Sequence, residues 1–293
     1  MGLFGRVRRA APEPARLLGP GELGQALELC EAAGPDGVLA GSRILAKVRR
    51  GGAFGQVWAV GRPLRSICWL GGSLTPVIGA GERAGQDALA LAEAALTRGR
   101  GVTSLVGQAA GVLPIWRRVE GFWPRPREVR ANQPLMEIGG PPAVAPDPAV
   151  RLARPGEADL VLPAAASMFT EELGVSPVQQ GGAYRARIAG LISRRATLIR
   201  LGRVPGRPDP VVVFKADLGA GVGPLVQVHG VWTHPAWRGR GLAHGGMAAV
   251  VREALAQGYR SVSLYVNDFN AAARAVYRDV GFREVGTWAT VMF

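Results

Sequence analysis

Along the C-terminal half of the chain, the hydrophobic positions switch between two periods. Alternating or continuous apolar runs in "VRLARP" (150–155), "ATLIRLG" (196–202), "PVVVFKADLG" (210–219), "PLVQVHGVWT" (224–233), "SVSLYVN" (261–267) and "VGTWATVMF" (285–293) predict strands. "EADLVLPAAASMFTEEL" (157–173) predicts a helix interrupted or restarted at Pro163, and "GAYRARIAGLISRR" (182–195) predicts a second. Ala243, Met247, Val250, Val251, Ala254 and Leu255 recur at helical spacing, with Gly258 as the stop. Asn270 predicts the cap of a further helix running to Gly281. The resulting order, β-α-α-β-β-β-α-β-α-β, is that of an α/β fold with a mixed sheet.

The first half repeats the end of this pattern in paler form. "RSICWLG" (65–71) and "LTPVIG" (74–79) read as strands, followed by a helix near 85–98, the strand "VTSLVG" (102–107), a helix near 109–120 and a strand within "REVRANQPLMEI" (127–138). These lengths echo residues 243–293: an N-terminal α/β domain that is a degenerate copy of the C-terminal one would produce the echo, and so would ordinary α/β periodicity. "GGPPAVAPDP" (139–148) has no periodicity and one charge, which reads as a linker. The expected organisation is a flexible basic arm at 1–14, an N-terminal domain at 15–140, a linker at 141–149 and a C-terminal domain at 150–293.

Composition narrows the picture only a little. The 293 residues carry a net charge of +13, but Lys47 and Lys215 are the only lysines and the arginines are scattered, without a dense run or interleaved aromatics. Nucleic acid is therefore not the expected partner, while an acidic or polyanionic substrate suits the field. No window approaches the roughly 18 apolar residues of a membrane span, and the start lacks the apolar core of a secretory signal. Cys30 and Cys68 are too few for a disulfide framework, which fits a cytoplasmic protein.

The chemistry concentrates in "WRGRGLAHGG" (237–246), ahead of an apolar helix. Backbone N–H groups at a helix start have no intrahelical partner, and the helix dipole favours anions there. Glycines let a phosphate approach, and arginines add countercharge. The Gly-Lys-Ser/Thr of a nucleotide-triphosphate loop is absent. A dinucleotide fingerprint would need glycine where His244 stands, and an acid where Asn267 stands. Arg238-Gly-Arg-Gly-Leu-Ala243, preceded by "VWTHP" (231–235) and followed by "VNDFNAAARAVYRDVGF" (266–282), resembles the motifs of the GNAT superfamily of acyl-CoA-dependent N-acetyltransferases. The whole chain also resembles a two-domain subgroup with an N-terminal domain of unknown function.

The resemblance implies a fold with splayed central strands and acetyl-CoA as co-substrate. The backbone of Val231, Trp232 and Thr233 would pair with the pantetheine arm. The amides of Gly239, Arg240, Gly241, Leu242, Ala243 and His244 would hold the pyrophosphate, the Arg238 and Arg240 side chains would add phosphate contacts, and Asn267 and Asn270 would lie beside the cofactor. Tyr277 matches the family's general acid for the CoA thiolate. Many relatives carry a carboxylate on the strand before the loop, whereas Gln227 and His229 stand here. His229 has a side chain suited to accept a proton near neutrality, and Asp217, Glu171 or Glu172 could act directly or through water. His229, His234 and His244 fall close together, but their spacing suits no helix face and no metal is expected. The function expected is transfer of an acetyl or other acyl group to a primary amine of a small molecule, peptide or protein lysine. The alternative is a non-catalytic, regulatory CoA-binding module. Acceptor identity and the choice between monomer and homodimer stay open.

Overall fold

The computed structural model describes residues 13–51, 55–99, 101–177 and 182–293. The expected arm at 1–14 lies outside them except for Glu13 and Pro14. The first half contains β1 (Arg16–Leu17), α1 (Leu23–Ala32), α2 (Val38–Arg50), β2 (Gln56–Val60), β3 (Ser66–Leu70), β4 (Leu74–Val77), α3 (Ala84–Arg98), β5 (Ser104–Gln108), α4 (Ala109–Val119) and β6 (Glu128–Ile138). The second contains β7 (Arg151–Leu152), α5 (Ala158–Leu173), α6 (Ala183–Ser193), β8 (Thr197–Gly202), β9 (Val211–Val222), β10 (Leu225–Thr233), α7 (Leu242–Ala256), β11 (Ser261–Tyr265), α8 (Ala271–Val280) and β12 (Arg283–Met292). Both halves therefore read β-α-α-β-β-β-α-β-α-β. The sequence pattern does not predict β1, α1, α2 or β2.

Two compact units form, and their segments do not follow chain order. Unit 1 takes residues to Ala33, Ile44–Ala131 and Trp288–Phe293; unit 2 takes Gly34–Arg43 and Asn132–Thr287. In unit 1 the strand order is β1-β2-β3-β4-β5-β12, in unit 2 β6-β11-β10-β9-β8-β7. In unit 1, β4 and β5 run parallel, and β5 pairs antiparallel with Trp288–Met292 of β12. In unit 2, β10 and β11 run parallel, and β11 pairs antiparallel with residues 135–138 of β6. The last strand of each repeat thus completes the other unit. An alternating strand pattern fixes which face is buried but not which neighbour is paired, so this exchange is invisible in the sequence.

The residues at 139–149 do not form a free tether. Ala143 N–H donates to Val280 O, Asp147 N–H to Gly245 O, and the Arg200 guanidinium pairs with the Asp147 carboxylate at 2.8 Å. Proline-rich composition removed regular structure here without removing packing. Nor does Pro163 interrupt α5, which runs unbroken from Ala158 to Leu173. That proline stands in the second turn, where it removes one donor and leaves the Asp159 carbonyl without its usual partner.

Two apolar clusters sandwich the unit 2 sheet. Val213, Phe214, Ala216, Leu218, Val226 and Val228 pack with Met247, Val250 and Val251 of α7, and Tyr277 and Val280 of α8 join them. Val161, Ala164 and Ala165 of α5 and Ile188 and Ile192 of α6 pack with Ile199, Val212 and Trp232. Helix α7 approaches β9 closely because Gly246 has no side chain. A Cβ there would stand 2.7 Å from the ring of fully buried Phe214. Gly246→Ala should therefore push α7 outward and cost about 1–3 kcal/mol, read as a lower midpoint in denaturant. An unchanged midpoint would mean that the helix has slack.

Candidate functional site

Strand β10 positions the site through two irregularities. Gln227 faces Ala220 and Val228 faces Leu218, leaving Gly219 as an extra residue in β9. His229 then faces Asp217 and Trp232 faces Lys215, leaving Gly230 and Val231 opposite Ala216 alone. Gly230 takes φ +60, a left-handed value that glycine adopts without strain. Bulges of this kind bend a strand and re-aim its side chains. On its other edge, β10 pairs with β11 only at Leu225–Ser261, Val226–Val262 and Gln227–Ser263. Beyond Gln227 the two parallel strands part. The stretch containing Val231, Trp232 and Thr233 keeps a backbone edge with no ladder partner on β11.

The chain turns from β10 into α7 through a short 3-10 turn at Pro235–Trp237, capped by the His234 ring accepting from Ala236 N–H. Gly239 and Gly241 adopt φ +71 and +73, and Gly241 is the N-cap of α7. The amides of Gly239, Arg240, Gly241, Leu242 and Ala243 have no hydrogen-bond partner among the described residues. The expected run was longer by one residue, His244, at its C-terminal end. Arg238 N–H donates to Pro235 O, and His244 N–H to Gly241 O. Five open amides at the head of a 15-residue helix form a nest for an anion.

The two loop arginines differ in situation. Arg238 is committed to protein: its Nε donates to Thr233 O at 3.0 Å and its guanidinium pairs with Glu171 at 2.6 Å. The other Glu171 oxygen accepts from Trp232 Nε1 at 3.0 Å, so the end of α5 braces both β10 and the loop. Arg240 is exposed and makes no ion pair among the described residues, its guanidinium lying 6.0 Å from the Trp237 ring. The His244 ring shares a 3.0 Å hydrogen bond with Asp279 of α8, which directs it to the helix pair.

Asn270 caps α8, its Oδ1 accepting from Ala273 N–H at 3.1 Å. Asn267 accepts from Gln133 Nε2 at 2.8 Å. Two helical turns beyond Asn270, Tyr277 is 7% exposed against Phe282, and its hydroxyl makes no hydrogen bond among the described residues. Burial, reinforced by the negative Glu172 at the end of α5, holds the phenol well above its ordinary pKa. It stays protonated across the whole working range.

His229 was expected to titrate near neutrality. Instead desolvation, joined by Arg187, Arg43 and Lys215 against the opposing pull of Asp217, lowers its pKa to about 4. The imidazole is therefore neutral at pH 7. Asp217, 6% exposed, is engaged with Thr197 Oγ1 at 2.8 Å and with the Lys215 ammonium. Both oxygens of this carboxylate are therefore engaged within β8 and β9. This pair leaves a trace in the chain: Lys215, one of two lysines, interrupts a buried apolar strand two residues before an acid. Two residues apart on one strand, they share a face.

The corresponding segments of unit 1 carry a different set of polar groups. Asp87, in the first turn of α3 and 3% exposed, accepts from Ser66 Oγ at 2.9 Å and from Arg65 at 3.0 Å. Ser66 Oγ accepts from Gly79 N–H, and Gln108 Oε1 takes the Ile78 amide at 2.8 Å across β4 and β5. The first turn of α3 thus carries its own buried carboxylate, already engaged by Ser66 and Arg65.

Parted parallel strands, a left-handed glycine loop opening a helix, and a second capped helix define the fold of the GNAT acyltransferases. Residues 202–282 match the acetyltransferase (GNAT) family, and residues 55–161 match a domain of unknown function, DUF4081. The chain thus carries a C-terminal GNAT acetyltransferase domain behind a DUF4081 domain. Among solved structures it is similar to a Drosophila protein, at 14% identity over 96% of this chain and 99% of that one, with a TM-score of 0.65. It is also similar to a GCN5-related N-acetyltransferase from Sphaerobacter thermophilus, at 18% identity over 94% of each chain and a TM-score of 0.57. A tandem GNAT protein from the clavulanic acid biosynthesis pathway matches 95% of this chain and 97% of its own, at 15% identity and a TM-score of 0.55. The likeness spans both repeats, so the echo between the halves reflects a tandem fold. No curated protein sequence matches the chain. Among the described residues no cluster of His, Cys, Asp and Glu could hold a metal ion, and no helix is long and apolar enough to cross a membrane.

Proposed function

We propose that the chain is a cytoplasmic N-acyltransferase that moves an acetyl group from acetyl-CoA to a primary amine of a small molecule, peptide or protein lysine. The carrying observation is the run of open amides at 239–243 beside the parting of β10 and β11. In this reading the amides and Arg240 take the pyrophosphate, and the free edge of Val231–Thr233 pairs with the pantetheine. Asn267 and Asn270 line its far side. The neutral amine attacks the thioester carbonyl, a C–N bond forms, the C–S bond breaks, and the thiolate takes a proton from Tyr277. The proton lost by the amine passes to His229, directly or through water. Glu171 braces the loop, and Glu172 adds negative charge near the phenol.

The test is free-thiol release from acetyl-CoA against a panel of amines, with calorimetry for CoA binding. Amine-dependent release supports an enzyme. Binding without release would leave a regulatory CoA-binding module. A second expectation follows from Asp87: the full chain should bind one CoA, not two. Calorimetry should give a stoichiometry near one, abolished by changes in the 239–243 loop. Two equivalents per chain would overturn the assignment of unit 1 as a closed copy. The full chain is the right material, because residues 1–140 alone lack the strand that completes unit 1.

A further inference from the structure

Gln227 and His229 stand two apart on β10 and so project to one face. The Gln227 side chain is fully buried, and its Oε1 lies 2.8 Å from His229 Nε2. Its Nε2 is buried with no partner among the described residues. An apolar side chain would fill this place without an orphaned donor, so the amide's place is explained by what its oxygen does. The other edge of the imidazole lies over the bulged residue Gly219. A Cβ there would collide with His229 Nδ1, Cγ and Cβ, so only glycine fits against the ring in this position. The Nδ1 atom itself makes no hydrogen bond among the described residues.

We propose that Gln227 and Gly219 are positioning residues that present His229 as a proton acceptor in one fixed tautomer, with the proton on Nε2 and the lone pair on Nδ1. The proposal rests on the acyltransferase reading. A carbonyl oxygen can only accept, so it holds the ring proton on Nε2. The Nδ1 lone pair then receives the proton released when the amine attacks, either directly or through one water. The other charged groups around the ring are Asp217 and Lys215 from β9, Arg187 from α6 and Arg43 from α2, with the Tyr265 ring 6.3 Å away on β11. None of them replaces Gln227 at Nε2.

Nitrogen-15 NMR of the imidazole in the intact protein reads the tautomer without requiring turnover. The proton on Nε2 in wild type, and a mixture of tautomers in Gln227→Leu, is the expected result. A proton on Nδ1 in wild type, or an unchanged tautomer in Gln227→Leu, overturns the proposal. In kinetics, Gln227→Leu should lower kcat roughly ten-fold with the KM for acetyl-CoA unchanged. Gln227→Glu should move the acid limb of the pH profile upward by about one unit or more, because a carboxylate at this distance favours the charged ring. An acid limb that stays in place would count against His229 as the acceptor. If wild type releases no thiol with any amine, the acyltransferase reading fails, and the NMR result judges the hydrogen bond separately.

Discussion

Tyr277→Phe should bind acetyl-CoA as tightly as wild type and turn over roughly 100-fold more slowly, near the low end of what losing a general acid costs. The substitution keeps the ring against Phe282 and in the apolar cluster of α7 and α8. Only the hydroxyl goes, and that hydroxyl has no hydrogen bond to lose among the described residues. The modest size follows from the phenol's environment. Burial and Glu172 hold its pKa above the ordinary value, so it is always protonated but reluctant to give the proton up. A thiolate is also a tolerable leaving group near neutral pH. For the same reason no alkaline limb below pH ~10 should belong to Tyr277. Full turnover in Tyr277→Phe, with wild type active, would remove this residue from the mechanism and leave water as the proton source. A large drop in affinity would instead give it a binding role.

How far the sequence disclosed this protein depended on whether the information was local. The glycine loop, the Asn270 cap and the strand–helix order after 150 were legible because φ > 0, capping and periodicity are properties of short stretches. The parting of β10 and β11 was expected from resemblance and is seen in the ladder, which ends at Gln227–Ser263. Pairing partners were not legible. Nothing in "VGTWATVMF" says that Trp288–Met292 pairs with β5 of the first repeat. The state of individual groups was equally hidden. His229 reads as a base near neutrality until Arg187, Arg43 and desolvation are placed around it. Arg238 and Arg240 look equivalent two residues apart, yet Glu171, 67 positions away from Arg238, claims only one of them.

That asymmetry makes the loop arginines separable by experiment. Arg240→Glu should weaken CoA binding on the order of 100-fold. It removes a charge-assisted contact to phosphate and puts a carboxylate beside the open amides of 239–243. Arg240→Ala should lose about ten-fold, and raising salt should narrow the gap between it and wild type, since an exposed side chain is screened. Arg238→Ala should behave differently. Its guanidinium already serves Thr233 O and Glu171, so its removal loosens the brace between α5, β10 and the loop rather than deleting a phosphate ligand. Affinity should then fall with little dependence on salt, and Glu171→Ala should reproduce the same defect. Combining Arg238→Ala with Glu171→Ala should cost little more than either alone, because both remove one contact. Unchanged CoA affinity in Arg240→Glu would end the assignment of this loop to the pyrophosphate. Salt-sensitive loss at Arg238 equal to that at Arg240 would mean that Glu171 releases its arginine when the co-substrate arrives.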